Sequence, residues 1–199
     1  MDADFPQRLQ HVLNARTIQT LAEWEIRKAA VLAPLYYKDA HWHLLFTRRT
    51  DNLKEHSGQV SFPGGGANPE DSTIVHTALR EAHEEIGLIP SAVTVLGQLD
   101  ELITITRWRV TPVVGVIPYP YELTSNPDEI AAVFGVPLSW LADENNRETQ
   151  ERQSPIDGRM ISINFYHPWE GHIIWGATAW MVQSLLDVLY EHRLPPYQP

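Results

Sequence analysis

The sequence predicts an α+β sandwich whose sheet mixes strand directions. Three observations lead there. Much of the chain falls into runs such as "HWHLLFTRR" and "WRVTPVVGVIPY", rich in the β-branched and aromatic residues that suit a pleated, half-buried surface. Between and after these runs stand one central and one C-terminal helical stretch. Evenly alternating strand and helix units are absent, which argues against a doubly wound parallel sheet. With 199 residues, 43% of them hydrophobic, the chain is long enough for one domain with a real core. Residues 1–25 are expected as an N-terminal helical extension and 26–199 as the main domain.

The elements follow in order. "DFPQRLQHVLN" places Leu9, Val12 and Leu13 near helical spacing, which predicts a short helix outside the main fold. "RKAAVLAPLYY" and "HWHLLFTRR", separated by the polar "KDAH", read as a hairpin. A Gly/Pro-rich loop at 62–69 leads into the central helix, for which Asn68 is the expected N-cap, Pro69 the first helical residue and Gly87 the stop. "AVTVLGQLDELITIT" and "WRVTPVVGVIPY" are further strands, and "SNPDEIAAVFGVPLSWLADENN" mixes a loop, a strand and a short helix. "NRETQERQSPIDGR" reads as a loop or exposed hairpin arm before "MISINFYHP". The closing helix aligns Ala179, Val182, Leu185, Leu186 and Leu189 on one face. A helix of this apolar weight is compatible with a homodimer, and Trp175 and Trp180 beside it read as core or interface residues.

Composition narrows the function. The formal net charge of -10 excludes broad binding to a phosphate backbone, so no nucleic-acid partner is expected. No apolar run is long enough to span a membrane and the N-terminus lacks the pattern of a signal peptide, so a cytoplasmic location is expected. The absence of cysteine excludes disulfides and thiolate chemistry, and leaves oxygen and imidazole as metal ligands. Neither G-x4-G-K-S/T nor G-x-S-x-G occurs, which removes P-loop and serine-hydrolase mechanisms.

The central helix carries the chemistry. At ~100° per residue, Val75, Leu79, Ala82 and Ile86 form a narrow apolar stripe, with Glu81, Glu84 and Glu85 clustered on the other side. Like charges at these spacings repel and lack lysine partners. Preceded by "PGGG", whose backbone can approach a ligand closely, they suggest a site for a hard divalent cation.

The stretch from Gly66 through "REAHEEIGL" (80–88) resembles the Nudix box, G-x5-E-x7-R-E-U-x-E-E-x-G-U with U aliphatic. It departs at the first glutamate, which falls on Ser72, with Asp71 and Glu70 beside it as substitutes. The resemblance implies a Nudix-type α/β/α sandwich with a mixed β-sheet, and hydrolysis of a diphosphate linked to another group, with Mg²⁺ or Mn²⁺ as cofactor. It implies Glu81 and Glu85 as metal ligands, Glu84 as a third ligand or the base that activates water, and Arg80 as the residue holding the glutamates through Glu84 and the loop. Glu129 is the candidate for a distant base or extra ligand, followed by Asp100 and Glu101. His83 is expected in a structural or surface role.

Upstream, "LLFTRRTDNLKEHSGQVSFPGG" (44–65) resembles the coenzyme A pyrophosphatase signature L-L-T-x-R-S/A-x3-R-x3-G-x3-F-P-G-G. Lys54 stands where the signature has Arg. The resemblance implies coenzyme A or a derivative as the small-molecule substrate, with Arg49, Lys54, Gly64 and Gly65 at the substrate and His56 adding local positive charge. The alternatives are hydrolysis of ADP-ribose or another nucleoside diphosphate derivative, and a non-catalytic Nudix module that senses a nucleotide.

Overall fold

The computed structural model describes residues 4–19, 26–52, 57–154 and 158–197. In chain order these form α1 (Phe5–Ala15), β1 (Arg27–Lys38), β2 (His41–Arg49), β3 (Val60–Ser61), β4 (Gly64–Gly66), α2 (Ile74–Ile86) and β5 (Thr94–Gln98). There follow β6 (Leu102–Ile103), β7 (Trp108–Val116), β8 (Ile130–Pro137), α3 (Leu138–Ala142), β9 (Arg147–Gln153), β10 (Met160–Tyr166) and α4 (Gly176–Glu191).

β1 is the spine of an 8-stranded sheet. It pairs antiparallel with β2 and β4 and parallel with β7, from Arg27 opposite Trp108 to Leu35 opposite Val116. The tight turn into β2 sets Asp39 and Ala40 at φ of 48° and 65°, the handedness that matches the twist of the strands it joins. β3 and β8 pair with β2, and β5 and β6 with β7, all antiparallel. The sheet is therefore mixed, as expected.

Alternate residues of β1 point into two cores. Ala30, Leu32 and Tyr36 join Ala78, Ala82 and Ile86 of α2, while Ala29, Ala33 and Leu35 join residues of α1, α3 and α4. Both faces of the strand are covered, which is why its sequence is apolar almost throughout instead of alternating. The architecture is an α/β/α sandwich.

The expectation for the N-terminal helix is corrected in its packing. Phe5, Leu9 and Leu13 are 0%, 0% and 2% exposed and stand four residues apart, so they line one helical face. Phe5 meets the Trp42 ring at 4.8 Å, and a side chain at Gly97 of β5 would come within 2.7 Å of Leu13. The helix is thus built into the larger core. Reading Leu9, Val12 and Leu13 as the stripe left out Phe5, the residue that ties the helix to β2.

α4 buries Ala179, Val182, Leu185, Leu186 and Leu189, so its apolar face is used within the chain and any second subunit must meet another surface. β9 and β10 form a separate 2-stranded sheet, the hairpin arm of the two alternatives, loop or hairpin, that the sequence left open. Among the described residues no helix is long and apolar enough to cross a membrane.

Leu9→Ala should lower stability by about 2–5 kcal/mol, the range for a fully buried leucine. Urea unfolding reads it, and a change near zero would mean that α1 is not part of the cooperative core.

Candidate active site

α2 begins later than its sequence suggests. Thr73, not Asn68, is the N-cap, its Oγ1 accepting from the His76 N–H at 3.1 Å. Asp71 is thereby released from the expected first turn and folds back over the helix, its Oδ2 accepting from the Asn68 N–H at 2.9 Å and from Thr77 Oγ1 at 2.9 Å. Gly87 ends the helix as expected, in the left-handed conformation with φ 69°.

Arg80 organises the site. Its Nε and Nη2 donate to the two oxygens of Asp71 at 3.0 Å each, Nη2 also to the Gly66 carbonyl at 2.9 Å, and Nη1 to Glu81 at 2.8 Å and Glu84 at 3.0 Å. This uses every N–H that a guanidinium carries. Arg80 therefore joins loop and helix, and has no donor left for a further ligand. The Asp71 side chain is 3% exposed, and the Arg80 fork holds its carboxyl well below the ordinary carboxylate range.

The three glutamates of α2 are not equivalent. Glu84 is exposed, Glu81 is partly buried and Glu85 is buried, with 5% of its side chain accessible. Placing Glu85 on the side away from the apolar stripe is thus corrected. Ala78 widens the stripe until Glu85 borders it, and the side chain lies against the sheet. Its Oε2 accepts from the Gly64 N–H at 3.2 Å and its Oε1 from Arg49 Nη1 at 3.3 Å. Burial, only partly offset by those donors, pushes the Glu85 carboxyl up to about 7. Burial also raises Glu81, against the pull of Arg80.

The glycine loop fits this arrangement closely. A side chain at Gly64, where φ is 158°, would overlap the Ala30 carbonyl, and one at Gly65 would stand 2.5 Å from the Glu81 carboxylate. Small residues here let the loop pair with β1 and leave Glu81 its place.

Glu129 joins the cluster from a distant part of the chain. Asn126 donates its backbone N–H to the Glu85 carbonyl at 2.8 Å, which wraps the segment before β8 around the end of α2. The Glu129 carbonyl accepts from the Thr50 N–H at 2.8 Å, and its side chain from Asn126 Nδ2 at 3.4 Å. Its charge adds to the burial that raises Glu81 and Glu85. Asp100 is engaged by Arg16 Nη2 and the Gln19 N–H at 3.0 Å each, and Glu101 by Thr111 Oγ1 at 3.1 Å. Sequence reading missed Thr77 and Asn126, polar residues whose roles depend on contacts made after folding. His83 is exposed. Lys54 and His56 lie outside the described residues. Among those residues no three acidic or imidazole groups already converge as a metal cage, since Arg80, Arg49 and Gly64 hold the glutamates.

Residues 26–157 match the family model described as the NUDIX domain. The uncharacterized Nudix hydrolase NudL of Photorhabdus laumondii is 43% identical over 162 residues, 80% of this chain and 83% of that protein. NudL of Yersinia enterocolitica is 41% identical over 158 residues, 79% of this chain and 78% of its own. The crystal structure of a MutT/nudix family protein from Enterococcus faecalis superposes with a TM-score of 0.55, covering 96% of this chain and 76% of that one. At 14% identity that likeness concerns the fold alone.

Asp71→Asn should destabilise the protein by about 3 kcal/mol, because it removes one partner of a buried ion pair. Chemical unfolding at neutral pH measures this, and a loss under ~1 kcal/mol would mean that the fork does not hold the loop. For Glu85 the folded pKa of about 7 lies above the unfolded value of 4.5. Its contribution to stability is therefore fully present below about pH 4.5 and is lost as pH rises through about 7. Without metal, the melting temperature of Glu85→Gln should gain on that of the wild type between about pH 5 and pH 8. A constant difference across that window would contradict the assignment.

Proposed function

The chain belongs to the Nudix hydrolase family, and from that premise we propose that it is a metal-dependent diphosphatase cleaving coenzyme A or its derivatives into 4′-phosphopantetheine and adenosine 3′,5′-bisphosphate. Arg49 carries the substrate reading. It lies in the upstream stretch that resembles the coenzyme A pyrophosphatase signature and reaches Glu85 with Nη1, while its Nε is buried with no hydrogen-bond partner among the described residues. A guanidinium N–H left unpaired beside the acidic cluster is a donor suited to a phosphate oxygen. In an acidic chain, it also supplies the local positive charge that an anionic substrate needs.

The donors fit Mg²⁺ or Mn²⁺. Glu81, Glu84 and Glu85 offer only oxygen, and the burial and mutual repulsion that raise Glu81 and Glu85 are relieved by a cation. In this reading Glu81 and Glu85 hold the metal and Glu84 is the third ligand or the base, with Glu129 a further candidate base. Bound metal supplies charge neutralisation at the phosphate oxygens and a water of lowered pKa. The protein's own residues set the stage for both. Arg80 keeps Glu81 and Glu84 in place, the Gly64 N–H orients Glu85, Gly65 clears space for Glu81, and Arg49 with Lys54 binds phosphate.

Purified protein incubated with Mg²⁺ or Mn²⁺ and, separately, coenzyme A, ADP-ribose, a dinucleotide and a nucleoside triphosphate tests this by chromatography of the products. Coenzyme A should be cleaved fastest, Glu81→Gln and Glu85→Gln should lose about a hundredfold or more in rate, and Arg49→Ala should raise KM. Faster cleavage of another diphosphate would overturn the coenzyme A reading. No cleavage at all would replace the enzyme with a nucleotide-sensing module.

A further inference from the structure

The β9–β10 hairpin presents an apolar face that, among the described residues, is only partly covered and joins neither core. Pairing register sets Glu148 opposite Phe165, Gln150 opposite Ile163 and Arg152 opposite Ile161, so these six side chains share one face. A backbone bridge places Trp175 beside Phe165 as a third member of its rung, their rings stacked at 5.6 Å and 3°. Ile173 is two residues earlier in the same extended segment. Trp175 and Ile173 are 37% and 46% exposed. Ile161, Ile163 and Phe165 are partly covered, and among the described residues they pack on neither of the two cores. A two-stranded ribbon is marginal in water unless its apolar side is packed, and among the described residues this side is packed on neither core.

The polar row beside it indicates what fits. Gln150 donates to Glu148 at 2.5 Å and accepts from Arg152 at 2.6 Å, so the row runs from negative through neutral to positive. A two-fold axis through the Gln150–Ile163 rung returns this row on itself with the signs reversed. Arg152 of one copy then faces Glu148 of the other, Ile161 faces Phe165, and Ile163 meets its own equivalent. The strands of the arm are also neutral, Arg147 and Arg152 balancing Glu148 and Glu151, in a chain of net charge -10. The two strands therefore add no net like-charge repulsion of their own where the arms meet.

From this geometry we infer that the β9–β10 arm is the self-complementary contact of a homodimer, two copies packing hairpin face to hairpin face about the Gln150–Ile163 rung. The contact is isologous and closes at two subunits. Its core is the row from Ile161 to Trp175, and its register is set by the Glu148–Arg152 pairs.

Sedimentation velocity of the full chain across about 1–200 µM tests this, with circular dichroism of each variant as a check on folding. The wild type should shift from monomer to dimer, and Ile163→Asp should remain a monomer. Glu148→Arg and Arg152→Glu should each weaken association by about tenfold or more, since each sets like charges face to face. The double variant Glu148→Arg/Arg152→Glu should recover it, because the swapped pair is again complementary. A wild type that stays monomeric throughout would assign the face to a different partner or to none, and overturn the inference. So would dimers that survive Ile163→Asp, or a double variant no tighter than its parents.

Discussion

The guanidinium of Arg80, held by Asp71, is the contact on which the site depends. A helix bearing Glu81, Glu84 and Glu85 next to a glycine loop repels itself, and an extended Gly64–Gly66 strand has no side chains of its own to hold it in place. One planar cation with donors in several directions answers both needs. It bonds the loop at the Gly66 carbonyl, the helix at Glu81 and Glu84, and the intervening turn at Asp71. A lysine, with a compact point charge and fewer donors, could not hold these positions together.

Glu85 shows the converse arrangement. Its carboxylate is buried between the sheet and the helix with two long donors among the described residues, and it feels the charges of Glu81 and Glu129. Such a group is poorly stabilised by the protein alone, which is the usual condition of a residue kept for chemistry instead of for stability. Two arrangements thus meet at one helix: Arg80 and Asp71 of the preceding turn form a saturated pair, while five residues further on Glu85, with Arg49 of β2, is less completely satisfied among the described residues.

The sandwich explains how distant pieces reach this point. β1 carries the hairpin that delivers Arg49 and receives the glycine loop on that same edge, nearer its start, while β7 fills its other edge. The segment before β8 is tied to both the end of α2 and Thr50, which brings Glu129 beside residues far from it in sequence. The opposite face, with α1 and α4, supplies bulk core and leaves the β9–β10 arm projecting from it.

Much of this was legible in the sequence. The β1–β2 hairpin, the stop at Gly87, the buried face of α4 and the acidic side of α2 follow from local periodicity and turn chemistry, which operate over a few residues. The family box names Arg80 and its glutamates because their spacing on one helix is a local property too. Other features were decided only by tertiary packing. The start of α2 at Thr73 depends on Asp71 turning toward Arg80 instead of lying in the first turn of a helix capped by Asn68. The burial of Glu85 depends on the sheet that covers it, and the place of α1 on Phe5 finding Trp42. The convergence of Glu129 and Arg49 depends on strands that meet across long sequence separations. Periodicity tells which face of an element is apolar, but not what will be packed against its border, and that neighbour sets the burial and charge of the groups beside it.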